Sequence, residues 1–392
     1  MWPFRAKAAT DNPSLRRLGW LRVLEPFAGA WQQGKSVDVQ DVTGYPTLYS
    51  VLDRVSSDIG KLPWHVKQKG SDGVGRPVPN AKLEHPNAFQ IPSQFRAAWV
   101  LSLLTSGNAV VLKEPDLIVL DWDRVTPLLS EGGEVFYRIN TPNRSLLPAK
   151  YAGRSVTVPA SAVMHDRRAC LFNQLIGVPP LAAAYLPAAK NWHILDNAKT
   201  RFEKGNRVGG LVTLPAGIGE KDATELTEKW ANLDPQAVRA LGMDAKFTPF
   251  DSKAVDAQLV EQLQLSDKQI CAPFHVPPFI VGAEALPSGQ RPDQYMDVYL
   301  RLALQHLIDG IESHLTAGLA LPAGQYVEID TAELLRMAPT ELGAYHTGLV
   351  KGGVETRNEA RRALGLPPVD GGDVITVQAQ DVPLGGQVHG AP

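Results

Sequence analysis

Three long helical patterns follow one another in the second half of the sequence and limit the folds that it can adopt. They cover residues 180–206, about 254–273 and about 293–317. Apolar residues in the third pattern fall on one helical face, at positions 296, 300, 304, 307, 308 and 311. Between the first two patterns, residues 208–250 read as strand, helix and strand. The sequence therefore predicts long helices joined by a small β-α-β-like insert.

The first half of the chain predicts an α+β domain over residues 45–175. Apolar residues at 48, 51, 52, 55 and 59 have helical spacing, with Gly60 as the expected stop. A second helix is predicted from Ser93, as N-cap, to Gly107. Short strand-like runs follow, at 109–113, 117–122, 135–139 and 155–158. Residues 1–44 are expected to form an irregular, flexible arm.

The last part of the chain has a strand pattern, two short helices and a polar tail. Residues 326–330 alternate like a strand, and the helices are predicted at 340–351 and 357–364. Glycine and proline interrupt residues 365–373, and residues 374–392 have the Gly, Pro and Gln content of a disordered segment.

A loop with a rigid base joins the second and third long helices. The apolar run Val276-Pro277-Pro278-Phe279-Ile280-Val281 precedes Gly282, and Gly289 lies further on. Proline restricts the backbone and glycine frees it. Such a loop fits an active-site lid, a plain connection or a segment that touches a moving ligand, and these residues alone leave all three open.

Composition and charge exclude several classes of protein. The 392 residues are 44% hydrophobic and 20% charged, as expected for a folded chain. A formal net charge of −2 argues against a broad basic face that grips nucleic acid. The two cysteines, Cys170 and Cys271, are far apart and predict no disulfide framework and no thiolate metal site. No apolar stretch approaches the roughly 18 residues of a membrane span, and we expect no signal peptide.

Motifs for catalysis are missing from the sequence. It has no GxGxxG after a strand, no GxxxxGK[ST], no GxSxG and no HExxH. His306 and His314 can share a helix face, but more than two turns separate them, too far to chelate one ion. We therefore expect no catalytic residue, no metal and no cofactor.

One group of basic residues has two interpretations. It lies at the end of the first long helix and comprises Lys199, Arg201, Lys204 and Arg207. Cations near a helix C-terminus interact favourably with the helix dipole, and this structural role is the favoured explanation. The alternative is a basic belt that faces phosphates, or a subunit contact.

Five segments, in order, resemble the portal proteins of tailed phages, the family named for phage HK97. They are SDIGKLPWHV (57–66), HPNAFQIPSQFRAAWVLSLLTSGNAVVL (85–112), FEKGNRVGGLVTLP (202–215), ICAPFHVPPFIVG (270–282) and NEARRALGLPPVDGGD (358–373). Each is a weak signal alone, but the five together are specific.

The resemblance implies a ring of twelve subunits at one capsid vertex, with an axial channel through which double-stranded DNA is packaged and ejected. It also implies a terminase large subunit, a major capsid protein and a head–tail adaptor as partners, with no membrane. The family's parts carry over as wing (45–175), first stem helix (176–207), clip (208–250), second stem helix (251–273), tunnel loop (274–292), long helix and strand returning to the wing (293–334), and crown (335–373).

By this resemblance the tunnel loop faces the DNA. Its candidate channel residues are Glu284, Ser288, Gln290 and Arg291. Residues 251–295 carry three basic and six acidic side chains, a net charge of −3 per subunit, which suits sliding rather than holding. The clip has little core of its own, so we expect its strands, 211–214 and 246–250, to pair across subunits through Leu211, Val212, Leu214, Phe247 and Phe250.

Two other functions stay open at this point. One is an enzyme that acts on DNA, with residues 273–295 as a lid, which an ATPase or nuclease assay would detect. The other is a minor capsid or adaptor protein without a channel, which the number of subunits would distinguish from a closed ring.

Overall fold

The structure is a computed structural model of the chain that forms two compact units. The first comprises residues up to Gly289 together with Val298–Asp330, and the second comprises Gln290–Asp297 and the residues from Thr331 onward. The described residues are 20–22, 44–141, 147, 153–171, 173–203, 210–213, 224, 246–249, 253–289, 292–332, 334 and 339–376.

Helices and antiparallel sheets make up the first unit. The helices, in chain order, are α1 (Pro46–Lys61), α2 (Ala81–Glu84), α3 (Pro92–Ser106), α4 (Pro180–Glu203), α5 (Lys253–Cys271), α6 (Pro292–Tyr299), which crosses the boundary between the units, and α7 (Gln305–Gly318). A π-helical turn, Leu300–Leu304, joins α6 to α7.

Within the described ranges, the strands pair in four antiparallel sheets. They are β1 (Trp20–Arg22), β2 (Trp64–Lys69), β3 (Gly75–Val78), β4 (Asn108–Leu112), β5 (Ile118–Leu120), β6 (Val125–Ser130), β7 (Val135–Asn140), β8 (Ser155–Pro159), β9 (Val163–Arg167), β10 (Gly210–Thr213), β11 (Lys246–Pro249) and β12 (Gln325–Ile329). The sheet orders are β1-β6-β7-β8, β5-β4-β9, β12-β2-β3 and β10-β11. The predicted combination of helices and sheets is confirmed.

An aromatic cluster fixes α3 against the sheet that contains β2. Trp64, Phe95 and Trp99 are buried, and their rings meet edge to face at 6.1–6.5 Å between centroids. The guanidinium of Arg96 lies 5.3 Å from the Trp64 ring centroid, and its Nη1 donates to the Leu62 carbonyl at 2.6 Å. Edge-to-face rings and a stacked cation are both favourable arrangements.

Two predicted helix boundaries are wrong, each for a local reason. Gly60 does not end α1 but lies inside it, where a Cβ would come within 2.9 Å of the Ser93 carbonyl oxygen. The glycine is therefore explained by the close approach of α3. The N-cap of α3 is Ile91 rather than Ser93: Pro92 occupies the first turn, and the Gln94 side chain accepts the Ile91 N–H at 3.3 Å.

Four strands escaped the sequence patterns. The patterns did not predict β3, β6 and β9. Residues Trp20–Arg22, assigned to an irregular arm, form β1, which pairs with Leu128–Ser130 at the edge of β6. A three-residue strand is too short to show a period, so only the pairing reveals it.

The described residues of the second unit include the helices α8 (Pro339–Lys351) and α9 (Arg357–Ala363). Thr356 caps α9 with a capping box to Glu359. Asn358, which is buried, accepts the Val369 N–H at 2.8 Å and donates to the Val369 carbonyl at 3.0 Å. Its backbone N–H donates to the Gly372 carbonyl at 2.9 Å. These bonds close the segment NEARRALGLPPVDGGD on itself and give its asparagine a structural role.

Candidate functional site

Helices α4 and α5 pack against each other and lead into the segment predicted as a channel loop. Pro187 lies inside α4, where its lack of an N–H removes one helical hydrogen bond. The hydroxyl of the buried Ser266, on α5, donates to the Pro187 carbonyl at 2.7 Å. This bond links α5 to α4 at the level of the proline.

Asp267 joins three helices at one carboxylate oxygen. Its Oδ1 accepts the Thr47 hydroxyl of α1 at 2.6 Å and the Asn191 amide of α4 at 2.9 Å. Asn191 is buried, so the carboxylate satisfies a polar group that water does not reach. We call Thr47, Asn191, Ser266 and Asp267 the helix junction. It lies one helical turn before the end of α5.

The segment after α5 begins as two compact turns rather than as a free loop. Residues Ala272–Phe274 and Pro278–Val281 are 3₁₀ turns, each closed by a residue with a left-handed backbone, His275 (φ 57°) and Gly282 (φ 76°). The N–H of Ala283 donates to the Pro278 carbonyl at 3.0 Å. Cys271, Phe274 and Val276 are buried. The rigid base is thus held in place, and the exposed part of the segment starts at Glu284.

The predicted channel residues divide between described and undescribed positions. The Glu284 carboxylate pairs with the Lys268 ammonium of α5 at 2.7 Å, and both side chains are about half exposed. Ser288 is exposed. Gln290 and Arg291 lie outside the described residues. Glu284, the first exposed residue of the segment, is therefore paired with a cation of α5.

The two other predicted groups are only partly described. Lys199 is an exposed residue of α4, the backbone of Arg201 lies in the same helix, and Lys204 and Arg207 fall outside the described residues. In the clip, Leu211 pairs with Thr248 and Val212 with Phe247 within one chain, while Leu214 and Phe250 are not described. The two strands pair antiparallel, and most of the residues between them lie outside the described part of the chain.

A buried polar cluster, which the sequence analysis missed, lies under α7. His165 Nδ1 is 2.9 Å from the Tyr137 hydroxyl, and its Nε2 is 3.2 Å from Asn108 Oδ1. Because the Asn108 amide nitrogen donates to two carbonyls, its oxygen faces His165, and Nε2 carries the imidazole proton. Burial, Arg167 and His314 lower the pKa of His165 to about 3, so the ring is neutral at pH 7. His165 lies in β9, a segment without a predicted element, and gave no signal of this.

Asp166, the residue after His165, forms the second part of this cluster through contacts with Trp99 and His314. The Trp99 indole N–H donates to its Oδ2 at 3.0 Å, and His314 Nε2 lies 3.4 Å from its Oδ1. Burial raises the pKa of Asp166. His306 is elsewhere on α7, next to His275, with ring centroids 5.9 Å apart. The two histidines of α7 therefore have different neighbours, in line with a spacing too long for both to bind one ion.

The described part of the chain shows no cluster for a metal ion, and its buried thiol is unreactive. Burial, with Asp267 nearby, raises the pKa of Cys271 to about 12, so its thiol stays protonated. Among the described residues, no group of three or more His, Cys, Asp or Glu side chains is placed to hold a metal ion. None of the helices in the described ranges is long and apolar enough to cross a bilayer.

Comparison with known sequences agrees with the motifs. The family model described as "Phage portal protein" matches residues 46–365. The portal protein of Enterobacteria phage HK97 is 23% identical over 383 residues, which cover 89% of this chain and 85% of that protein.

Solved structures with a similar fold come from phage-like particles and a phage portal. The neck of an empty GTA particle, computed with C6 symmetry, contains a chain with a TM-score of 0.59 and 19% identity, over 84% of this chain and 92% of that one. A chain of the virion of the native gene transfer agent particle has a TM-score of 0.57, 18% identity and the same coverage. The crystal structure of an HK97-family phage portal protein from Corynebacterium diphtheriae has a TM-score of 0.50 and 15% identity, over 76% of this chain and 96% of that one.

Proposed function

The chain belongs to the phage portal protein family, and on that premise we propose that it assembles into a closed ring of twelve subunits at one vertex of a capsid. The ring forms the channel through which double-stranded DNA enters during packaging and leaves during ejection. The ring is assembled in the host cytoplasm and becomes part of the virion. The observation that carries this proposal is the family match, which extends over residues 46–365 and includes both long helices and the segment between α5 and α6.

The exposed segment after the rigid base is the part of the chain proposed to face DNA. Residues 284–289 are exposed, and Ala283 before them is half-buried. The helix junction holds the C-terminal turn of α5, and the 3₁₀ turns hold the base of the segment. A loop that is held at its base and solvated at its tip can contact a moving duplex without yielding along its whole length. Glu284, Ser288, Gln290 and Arg291 are its proposed DNA-facing residues.

Electrostatics support passage rather than binding. Each contact between a cation and a phosphate adds salt-dependent affinity, and a ring multiplies the contacts of one subunit. Residues 251–295 carry a net charge of −3. One of the three cations, Lys268, is neutralised by Glu284. The balance leaves little positive charge to hold DNA.

The clip and the basic end of α4 have proposed roles at subunit contacts. The pairing of β10 with β11 uses one edge of each strand. Their other edges can extend the sheet with a neighbouring subunit, by strand addition. Lys199, Arg201, Lys204 and Arg207 are proposed as a second basic belt toward DNA or as a subunit contact. The remaining proposed partners are a terminase large subunit, the major capsid protein and a head–tail adaptor.

The chain is proposed to be structural and to catalyse no reaction. In the described residues the buried thiol is protonated, the buried imidazole is held neutral between two hydrogen-bond partners, and no metal cluster is present. None of these groups is exposed in a cleft next to a second reactive group, as acid–base or nucleophilic catalysis requires.

Native mass spectrometry and negative-stain imaging test the proposal directly. Rings of about a dozen subunits with a central hole are expected, either from the purified chain or when it is co-produced with its capsid and scaffold proteins. Deleting residues 208–250 should then leave monomers, and rings from that variant would contradict the clip proposal. A chain that never closes into rings under either condition, or that cleaves DNA or ATP, would overturn the portal function.

A further inference from the structure

A cavity of about 360 Å³ lies in the first unit, where α3 approaches the sheet that contains β2 and β3. It is lined by the end of α1, by β2, by the last residue of β3, by α2 and by the first turns of α3. Its apolar lining includes Pro63, Val78, Leu83 and Pro92. The volume is at the lower end of the roughly 300–1,000 Å³ of pockets that bind ligands, so the cavity suits a small group.

Arg96 brings to this cavity a guanidinium that has no carboxylate partner in the described ranges. Its Nη1 donates to the Leu62 carbonyl at 2.6 Å, and its guanidinium lies 5.3 Å from the Trp64 ring centroid. A guanidinium has five N–H donors, so these contacts leave most of them unused. Burial lowers the pKa of Arg96, and no neighbouring carboxylate offsets that effect. A cation that is partly removed from water is stabilised by an anion next to it.

The indole of Trp64, which also lines the cavity, is a second donor without an acceptor. Trp64 is 4% exposed, and its Nε1–H has no hydrogen-bond partner in the described part of the chain. Buried indole N–H groups usually have an acceptor. Edge-to-face contacts with Phe95 and Trp99 hold the ring in its place below Arg96. The two groups that the fold leaves without an anion or an acceptor thus lie against each other.

The remaining charges in the lining also favour an anion. Two permanent cations, Lys61 and Arg96, stand against one carboxylate, Glu84. The Lys61 ammonium pairs with Asp58 of its own helix at 2.7 Å. Glu84 is exposed, and within the described residues it forms no ion pair with either cation. His65 is exposed on β2 and can add a further positive charge at low pH.

We propose that this cavity is a socket for the carboxylate of a glutamate or aspartate that a partner protein presents between apolar residues. The carboxylate accepts hydrogen bonds from the Arg96 guanidinium, whose planar fork matches the two oxygens of a carboxylate. The apolar neighbours of the acidic residue pack on Val78 and Leu83, which a free phosphate cannot do because it has no apolar part to bury. The proposal does not depend on the channel function.

Calorimetric titration of the full-length chain tests the chemistry of the ligand. The probes are the peptides acetyl-Leu-Glu-Leu-amide and acetyl-Leu-Gln-Leu-amide, which differ only in the charge of the central side chain. The glutamate peptide should bind at least tenfold more tightly, as expected for a hydrogen-bonded charge. Equal affinities would overturn the proposal. Inorganic phosphate that binds as tightly as the glutamate peptide, at the same ionic strength, would also overturn it.

Two variants locate the binding, and a third is the matched control. Arg96→Gln should weaken the glutamate peptide at least tenfold. Val78→Phe narrows the cavity but keeps Arg96 and its bond to Leu62, so the same loss there does not depend on that bond. Arg76→Gln removes an equal charge from β3 outside the lining, where Arg76 pairs with Asp72, and should leave the affinity unchanged. Unchanged binding in both cavity variants, or an equal loss in the control, would contradict the proposal.

Native mass spectrometry with saturating glutamate peptide identifies the source of the carboxylate. An unchanged number of subunits supports a separate partner protein as the source. Dissociation of the assembly by the glutamate peptide, but not by the glutamine peptide, would refute this and assign the socket to an acidic residue of a neighbouring copy of the chain.

Discussion

Replacing Asp267 by alanine tests whether the helix junction holds the base of the proposed channel segment. The substitution removes the acceptor of two hydrogen bonds, from Thr47 at 2.6 Å and from Asn191 at 2.9 Å. It also leaves the amide of Asn191, a buried residue, without that acceptor.

The expected loss follows from these contacts. A hydrogen bond to a charged group contributes about 1.5–3 kcal/mol. Asp267 is only partly buried, so water offsets part of this and we expect a loss of about 2–3 kcal/mol in the free energy of unfolding. Asp267→Asn keeps an oxygen in place and should cost about 1 kcal/mol or less. Thr47→Val removes one donor and should cost about 1 kcal/mol alone, but almost nothing in the Asp267→Ala background, because the two residues share one hydrogen bond.

Urea unfolding followed by circular dichroism measures these differences, and hydrogen exchange locates them. Exchange should accelerate in the last turn of α5 and in residues 272–289 of Asp267→Ala, and much less in β4 and β9. Equal stability of the alanine and asparagine variants, or additive losses in the double variant with Thr47→Val, would refute the reasoning that one carboxylate oxygen joins the three helices.

Three further predictions concern single groups. Burial lowers the pKa of His165 to about 3, whereas an unfolded histidine titrates near 6.5. Between these values the unfolded chain binds a proton that the folded chain does not, so stability falls as pH falls from about 6.5 toward 3, by up to about 1.4 kcal/mol per pH unit. His165→Gln should show a flatter pH dependence in urea titrations from pH 7 to 4, and an unchanged slope would contradict the assignment. Cys271, which is buried with its pKa raised to about 12, should react with iodoacetamide at pH 8 about 100-fold more slowly than the exposed Cys170, and comparable rates by mass spectrometry would show that α5 opens readily. Lys268→Ala removes an exposed ion pair with Glu284 and should change stability by less than about 1 kcal/mol while hydrogen exchange in residues 283–289 increases; unchanged exchange would mean that the pair does not order the segment.

A packaging assay addresses the proposed DNA-facing residues. Arg291→Ala should alter the amount of DNA packaged or retained while rings still form, because one cation per subunit is repeated around the channel. Ser288→Ala, a change without charge in the same segment, is the control. An unchanged packaging yield would remove Arg291 from the proposed channel residues.

The sequence by itself determined the order and type of most elements. Apolar spacing in α1, α5 and α7 reflects the face that each helix buries, and this period is written in the chain whatever lies opposite. The Pro-Pro run with its following glycine likewise predicted a rigid base, because both residues act on their own backbone. The five family segments also required no structure, since they are matched by residue identity and order.

Only the tertiary structure decided which distant residues meet. Gly60 ends no helix, because its reason is the neighbouring α3. No pattern in the sequence singles out Asp267, yet it binds Thr47 and Asn191, which are 220 and 76 positions away. His165 and β1 gave no periodic signal, and their roles come from partners in other strands. Local patterns record what a residue needs from its own helix or strand, whereas hydrogen-bond partners across the fold are set by packing, and packing joins positions whose separation along the chain carries no period.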